Sequence, residues 1–374
     1  MPESLYLHIP FCIRKCLYCD FLSVDYSDIP AKNYIRVLCQ ELSLRKNEAR
    51  MLKTIYIGGG TPSILPEECF DELFKCLRDH FEISSEAEIT VEANPGTVTK
   101  QKADKLVSLG VNRLSIGIQS FNDTELKTLG RAHTSEDALK AIEIIKKAGF
   151  QNFSIDLMYA IPGQTEDTWL QSLMRAVSIS PEHISAYELT PEEKTPLHGL
   201  LESGALHMPE EEIILKMYDQ AIDYLDFNKY EHYEISNFAL HGFKCIHNLN
   251  YWNRGEYIGT GAGAHSYINN RRSKNIKDIQ LYAETLKNSV LPESESTVIN
   301  PEEALREFIF LGLRKTEGIR LSESEKLGLH LAEACKELID EGYMAIEGAF
   351  IRLTRKGLKI SNTIIVSIFE RSGL

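Results

Sequence analysis

From residue 4 to about residue 190, short β-rich runs alternate with amphipathic helical ones, and this alternation narrows the fold more than any other feature of the chain. Six strands are expected, at residues 5–9, 54–57, 89–92, 113–118, 152–157 and 183–189. The helices between them have readable ends. Residues 100–109 stop at Gly110, and residues 136–148, capped by Ser135 or Thr134, stop at Gly149. Strand–helix alternation gives an α/β fold with a parallel sheet, whose helices cover both faces or line the outside if the sheet curls into a barrel.

Beyond residue 190 the pattern weakens. A helix is expected near residues 209–227, a strand near 230–234, and a Gly- and aromatic-rich stretch runs from Phe238 to Tyr267. The polar run Pro292-Glu-Ser-Glu-Ser-Thr297 reads as a linker. From about residue 300 come two helical patterns, a hairpin turning at Glu347-Gly348 and a last helix over about 355–369, which resembles a winged helix. That tail holds 11 basic and 12 acidic residues, which suits docking better than reading DNA. The chain is therefore divided into a core at 1–230, an extension packed on it at 231–290 and a C-terminal domain at 291–374.

A net charge of −13, from 41 basic against 54 acidic residues, repels a polyanionic backbone, so no nucleic-acid partner is expected. No apolar run approaches the roughly 20 residues of a membrane span, which leaves room for peripheral membrane contact only. Met1-Pro2-Glu3-Ser4 has neither a basic nor an apolar leader region, and the expectation is a cytoplasmic protein. In that reducing setting the 8 cysteines are not a disulfide framework. Cys39, Cys69, Cys76 and Cys335 fall in apolar helical patterns, where a thiol acts as a small hydrophobe.

Cys12, Cys16 and Cys19 are different: they follow the first strand at x3 and x2 spacing, in a loop able to wrap one small inorganic body. Structural zinc usually takes four ligands in separated pairs, and no second Cys-x2-Cys pair exists here; zinc with His8 as fourth ligand and three structural cysteines are the alternatives. A cubane iron–sulfur cluster held by three cysteines keeps one iron open to a chelating ligand. The ends of the other strands carry polar or glycine residues: Gly58-Gly59-Gly60-Thr61-Pro62, Glu92, Gln119 and Asp156. In barrels the strand C-termini form the site, and one polar group per strand suits a ligand carrying ribose, amino-acid and adenine parts.

Cys-x3-Cys-x2-Cys resembles the signature of the radical S-adenosylmethionine (radical SAM) superfamily. Gly-Gly-Gly-Thr-Pro, Glu-Ala-Asn-Pro-Gly (92–96), Gly-Ile-Gln-Ser-Phe, Asp-Leu-Met (156–158) and His247-Asn-Leu-Asn-Tyr251-Trp252 extend the likeness over the whole chain, to the coproporphyrinogen dehydrogenase branch and its heme-chaperone group. The resemblance implies a partial (β/α)6 barrel with a C-terminal winged-helix-like domain, and a [4Fe-4S] cluster on Cys12, Cys16 and Cys19. It also implies SAM contacts at Tyr6, Gly59, Gly60, Thr61, Glu92, Gln119, Arg131 and Asp156, with Tyr18 and Thr190 carried over beside them. The decarboxylating enzyme of that branch has a further cysteine where this chain has Phe21, and an extension ahead of the cluster motif. Both departures favour a protein that binds heme and passes it to an acceptor protein over oxidative decarboxylation of a porphyrinogen.

His247 offers an imidazole to heme iron, while Tyr251 and Trp252 offer flat apolar surface; Cys245 is a second candidate ligand, and a hydrogen-bonded structural histidine is the other reading. His265, after Gly259-Thr-Gly-Ala-Gly-Ala264, reads equally well as structural, and that run lacks the G-x-G-x-x-G spacing of a dinucleotide loop.

Overall fold

The computed structural model describes residues 1–374. The expected strands form as β1 (Ser4–Ile9), β2 (Leu52–Gly59), β3 (Ile83–Ala93), β4 (Arg113–Gln119), β5 (Phe153–Tyr159) and β6 (His183–Glu188), each parallel to the next. The later chain widens this sheet at both edges. Antiparallel β7 (Glu231–Glu234) and β8 (Asn237–Ala239) extend it beyond β6, and β9 (Ile258–Thr260) lies parallel to β1. The order β9-β1-β2-β3-β4-β5-β6-β8-β7 has nine strands and two unpaired edges, so the sheet is open, as a partial barrel requires.

Two faces of different chemistry follow from alternation along the strands. Leu5, Leu7, Ile9, Ile55, Ile57, Val91, Leu114, Ile116, Ile155 and Ile184 are buried in one continuous apolar core with helices α1 (Ala31–Arg45), α2 (Glu67–His80), α3 (Lys100–Leu109), α4 (Ser135–Ala148), α5 (Glu166–Ile179) and α6 (Glu211–Phe227). Each fully buried Leu or Ile contributes about 1.5–3 kcal/mol. The intervening residues are polar: Tyr6 and His8, Thr54 and Tyr56, Glu88, Thr90 and Glu92, Arg113 and Ser115, Ser154 and Asp156, His183 and Ser185. A parallel strand covered on both faces is normally apolar throughout. This one reserves its other face for polar work.

The helix ends match their signals. Gly110 closes α3 in the left-handed region at φ 92°, Gly149 closes α4 at φ 95°, and Thr134 with Asp137 forms a capping box at the start of α4.

After α7 (Ile246–Trp252) comes a second sheet of β10 (His265–Ile268), β11 (Arg271–Asn275) and β12 (Glu293–Val298), with α8 (Ile279–Lys287) between the last two. Here the reading of 292–297 as a linker is corrected. Those residues are the edge strand β12, because Arg271 on β11 bonds Glu293 and Ser296 and Lys274 pairs with Glu295. Cross-strand charge pairing has overridden a poor strand propensity.

The C-terminal part holds α9 (Pro301–Gly312), strands β13 (Ile319–Arg320), β14 (Met344–Glu347) and β15 (Phe350–Leu353) in the order β13-β15-β14, and α10 (Ser361–Ser372). The hairpin turns through Gly348, and the last helix is broken at Ile360, leaving Arg355–Leu358 as a separate turn. Arg355 binds Asp219 and Asp223 of α6, and Ile309, Ile364 and Ile368 join the main core. No helix is long and apolar enough to cross a membrane.

Candidate cofactor cavity and the floor beneath it

At the C-terminal ends of β1–β6 lies a cavity of about 520 Å³. Its lining brings together Cys12, Cys16, Tyr18, Cys19, Gly59, Gly60, Thr61, Glu92, Gln119, Arg131, Asp156 and Thr190. Tyr6 stands one layer behind: its hydroxyl bonds His8 Nδ1 at 3.0 Å and its ring stacks on Tyr56 with centroids 6.2 Å apart. His247 lies elsewhere, under the opposite ends of the strands.

The cysteine loop is tied down by backbone hydrogen bonds. Leu17 N donates to Leu129 O, Leu197 N to Leu17 O, and Tyr26 N to Cys12 O. All three thiols are half-buried on the cavity rim. Arg131 donates from Nη1 to Cys16 Sγ at 3.3 Å and from Nη2 to Gly117 O at 2.6 Å, while Cys12 Sγ lies 3.7 Å from Thr61 Oγ1. Burial pushes the Cys12 thiol up and the Cys19 thiol up to about 11, with charge on the neighbouring thiols adding to both. Metal ligation therefore has to displace protons.

No three His, Cys, Asp or Glu side chains converge where one metal ion could bind. His8, the fourth ligand of the zinc alternative, is engaged elsewhere, with Nε2 3.0 Å from Leu22 O and Nδ1 on Tyr6. A cubane asks for something else, thiolates spread over separate corners, and three rim thiols around one cavity fit it.

The facing wall is built for close approach. A Cβ on Gly60 would sit 2.6 Å from Phe11 O and 3.0 Å from Cys12 Sγ, so only glycine fits beside the cysteine loop. Gln119 holds φ at 69° without being glycine, a strained strand end of the kind found where a side chain is aimed at a ligand. Asp156 accepts from Ser115 Oγ (2.8 Å), Ser154 Oγ (3.0 Å) and Ser185 Oγ (2.7 Å), which fixes its carboxylate. Glu92 accepts from Tyr56 Oη (2.9 Å) and Gly59 N (3.0 Å), and burial pushes its carboxyl up to about 7. The cavity thus offers two oriented carboxyl groups, bare backbone and a guanidinium-braced thiol to a ligand with amine and hydroxyl donors.

The serines around Asp156, and Tyr56 behind Glu92, are not found by looking only at strand ends. Their signal is a polar residue at every second position, as in Arg113-x-Ser115-x-Gly117-x-Gln119 and Ser154-x-Asp156.

The floor is closed by α7. Glu88 accepts from Ile246 N (3.0 Å) and His247 N (2.9 Å), and the Cys245 thiol lies 3.6 Å from its Oε1. His247 is 1% exposed, with Nδ1 2.8 Å from Thr54 Oγ1 and Nε2 2.9 Å from Tyr251 Oη; its ring stacks on Tyr56 at 5.1 Å. Burial, reinforced by Arg113, pushes the imidazole down to about 3, so it is neutral. In this arrangement neither His247 nor Cys245 presents a free ligand atom. Trp252, the last residue of α7, is half-buried, and His265 is exposed on β10.

An open parallel sheet with a three-cysteine loop after its first strand defines a radical SAM protein. Residues 6–176 match the radical SAM superfamily and residues 299–360 the HemN C-terminal domain. The fold is similar to that of coproporphyrinogen III oxidase HemN from Escherichia coli, a radical SAM enzyme, with a TM-score of 0.85 at 22% identity over 98% of this chain and 90% of that one. The heme chaperone HemW of Bacillus subtilis is 37% identical over 97% of this chain and 98% of its own length. Its counterpart in Lactococcus lactis is 36% identical over 97% and 96%. The chain belongs to the HemW family of the radical SAM superfamily.

Proposed function

We propose that this protein is a heme chaperone: it binds a [4Fe-4S] cluster on Cys12, Cys16 and Cys19, SAM in the adjoining cavity, and heme, which it passes to an acceptor protein in the cytoplasm. The observation that carries the reading is near-full-length similarity to HemW together with a cavity whose residues suit both cofactors. When bound, the cluster supplies single electrons and an open iron for the amino-acid part of SAM.

The chain's own residues bind and orient. Gly59, Gly60 and Thr61 bring backbone against the ligand, Glu92 and Asp156 accept hydrogen bonds from its donors, and Gln119 and Thr190 flank it. Tyr18 closes the cysteine side, and Arg131 steadies Cys16. Tyr6 supports this wall from behind rather than from its lining. With His247 engaged in the floor, its part in heme binding belongs to a state in which α7 has moved.

The test is an anaerobic heme titration of the cluster-loaded protein followed by its Soret band, run beside an incubation with SAM, reductant and coproporphyrinogen. A saturable Soret shift without conversion of the porphyrinogen is the expected result. Substrate-dependent 5′-deoxyadenosine and protoporphyrinogen, without saturable heme binding, would assign the chain to oxidative decarboxylation instead.

A further inference from the structure

We infer that Tyr56 is a positioning residue that couples the cofactor cavity to the floor helix α7, so that ligand engagement of Glu92 and docking of His247 stabilise each other. The inference rests on the reading of the cavity as a SAM site.

Tyr56 is the side chain that touches both levels. It lines the cavity, its hydroxyl donates to Glu92 Oε1 at 2.9 Å, and its ring lies on the imidazole of His247 at 5.1 Å and 28°. Gly58 makes the first contact fit: a Cβ there would meet the Tyr56 ring at 2.9 Å and the Glu92 carboxyl carbon at 3.0 Å. The second contact is fixed from the same strand, because Thr54 holds His247 Nδ1 at 2.8 Å, while Tyr251 of α7 holds Nε2. Chemically, a cation or hydroxyl from a ligand favours the ionised form of Glu92. A hydroxyl donating to a carboxylate makes a shorter and stronger bond than one donating to a neutral acid. The tightened bond fixes the Tyr56 ring and, through it, the plane against which His247 stacks. Such coupling is reciprocal: whatever factor the ligand confers on α7, a docked α7 confers on the ligand.

The experiment uses full-length, cluster-loaded protein without reductant, so that SAM binds without turnover. SAM affinity is measured by calorimetry, and amide hydrogen exchange of residues 246–252 is followed with and without saturating SAM. In the wild type, SAM should slow exchange of those amides by about fivefold or more, the lower end of ordinary coupling. Tyr56→Phe should weaken SAM by a similar factor and abolish the exchange response while keeping iron content and a cooperative melting transition, its midpoint lowered by a few degrees at most for the lost buried hydrogen bond. Thr54→Val, which leaves the Tyr56–Glu92 bond in place, should quicken exchange of α7 and weaken SAM in proportion. A tyrosine serving only as packing would shift exchange equally with and without SAM, and that result overturns the inference, as does a wild-type α7 indifferent to bound SAM. Failure of the wild type to bind SAM removes the cofactor reading and this inference together. A SAM response without any Soret shift on heme addition sustains the coupling and removes only the heme reading.

Discussion

The two ends of the same strands are polar in the same way and treated in opposite ways. At the floor, Glu88, Thr54, His183 and Ser154 are met by other groups of the chain: Glu88 by the first amides of α7, Thr54 by His247, His183 by Ser154 and Tyr233. At the rim, the half-buried thiols, the Glu92 and Asp156 carboxyl groups and the strained Gln119 surround a space of about 520 Å³ that no side chain fills. The lesson is that polarity on the inner face does not by itself mark a ligand site. A ligand site is where polar groups, braced by their neighbours as Asp156 is by three serines and Glu92 by Tyr56 and Gly59, border a space that no side chain fills. The floor contributes to stability; the rim carries capacity for binding at some cost in strain.

The sharpest way to break this contrast is at the rim. Alanine at Cys12, Cys16 or Cys19 should reduce iron and sulfide binding to background while leaving the apoprotein's melting temperature within a degree or so, since half-exposed thiols contribute little to packing. Undiminished iron content in any one of the three variants would remove that cysteine from the ligand set. The floor should behave the other way round. His247→Ala strips two buried hydrogen bonds and a ring stack, and should cost about 2–4 kcal/mol in denaturant unfolding with iron content per folded molecule unchanged. A variant as stable as the wild type would show that α7 does not close the floor.

How far this contrast was readable beforehand depends on which residues are asked. The rim was legible, because a three-cysteine loop and the groups at strand ends sit next to each other in sequence or recur at each strand–helix junction. Helix ends were legible as well, Gly110 and Gly149 being set by local backbone chemistry. The floor was not. Glu88 meets His247 across 159 positions of chain and Thr54 meets it across 193, and no local pattern announces such a pairing. The His247 imidazole therefore reads equally well as a heme ligand or as a structural histidine until its partner Thr54 is known. The edge strand β12 was hidden for a related reason: its charges look like a solvated linker until the opposing charges of β11 are known.

The smallest effect sharpens the comparison by separating two carboxyl groups that burial pushes to the same place. Glu92 and Glu234 are both raised to about 7 by burial, but Glu92 faces the cavity, whereas Glu234 is 0% exposed on β7, with Ser236 N on Oε2 at 3.3 Å and with the Asn237 side chain and the Arg314 charge offsetting its burial only in part. A carboxyl raised above its unfolded value favours folding while protonated. That contribution is complete below an ordinary carboxyl pKa of about 4.3 and is lost as pH rises through about 7. Glu234→Gln keeps the shape and removes the titration. The variant should match the wild type near about pH 4 and exceed it by about 1–2 kcal/mol, a few degrees in melting temperature, near about pH 8. Melting curves at the two pH values decide it, with SAM absent so that Glu92 contributes equally to both proteins. A difference between variant and wild type that does not change with pH would mean that Glu234 is ionised in the fold, and that the far edge of the sheet supplies a partner for its charge as fully as the floor does for Glu88.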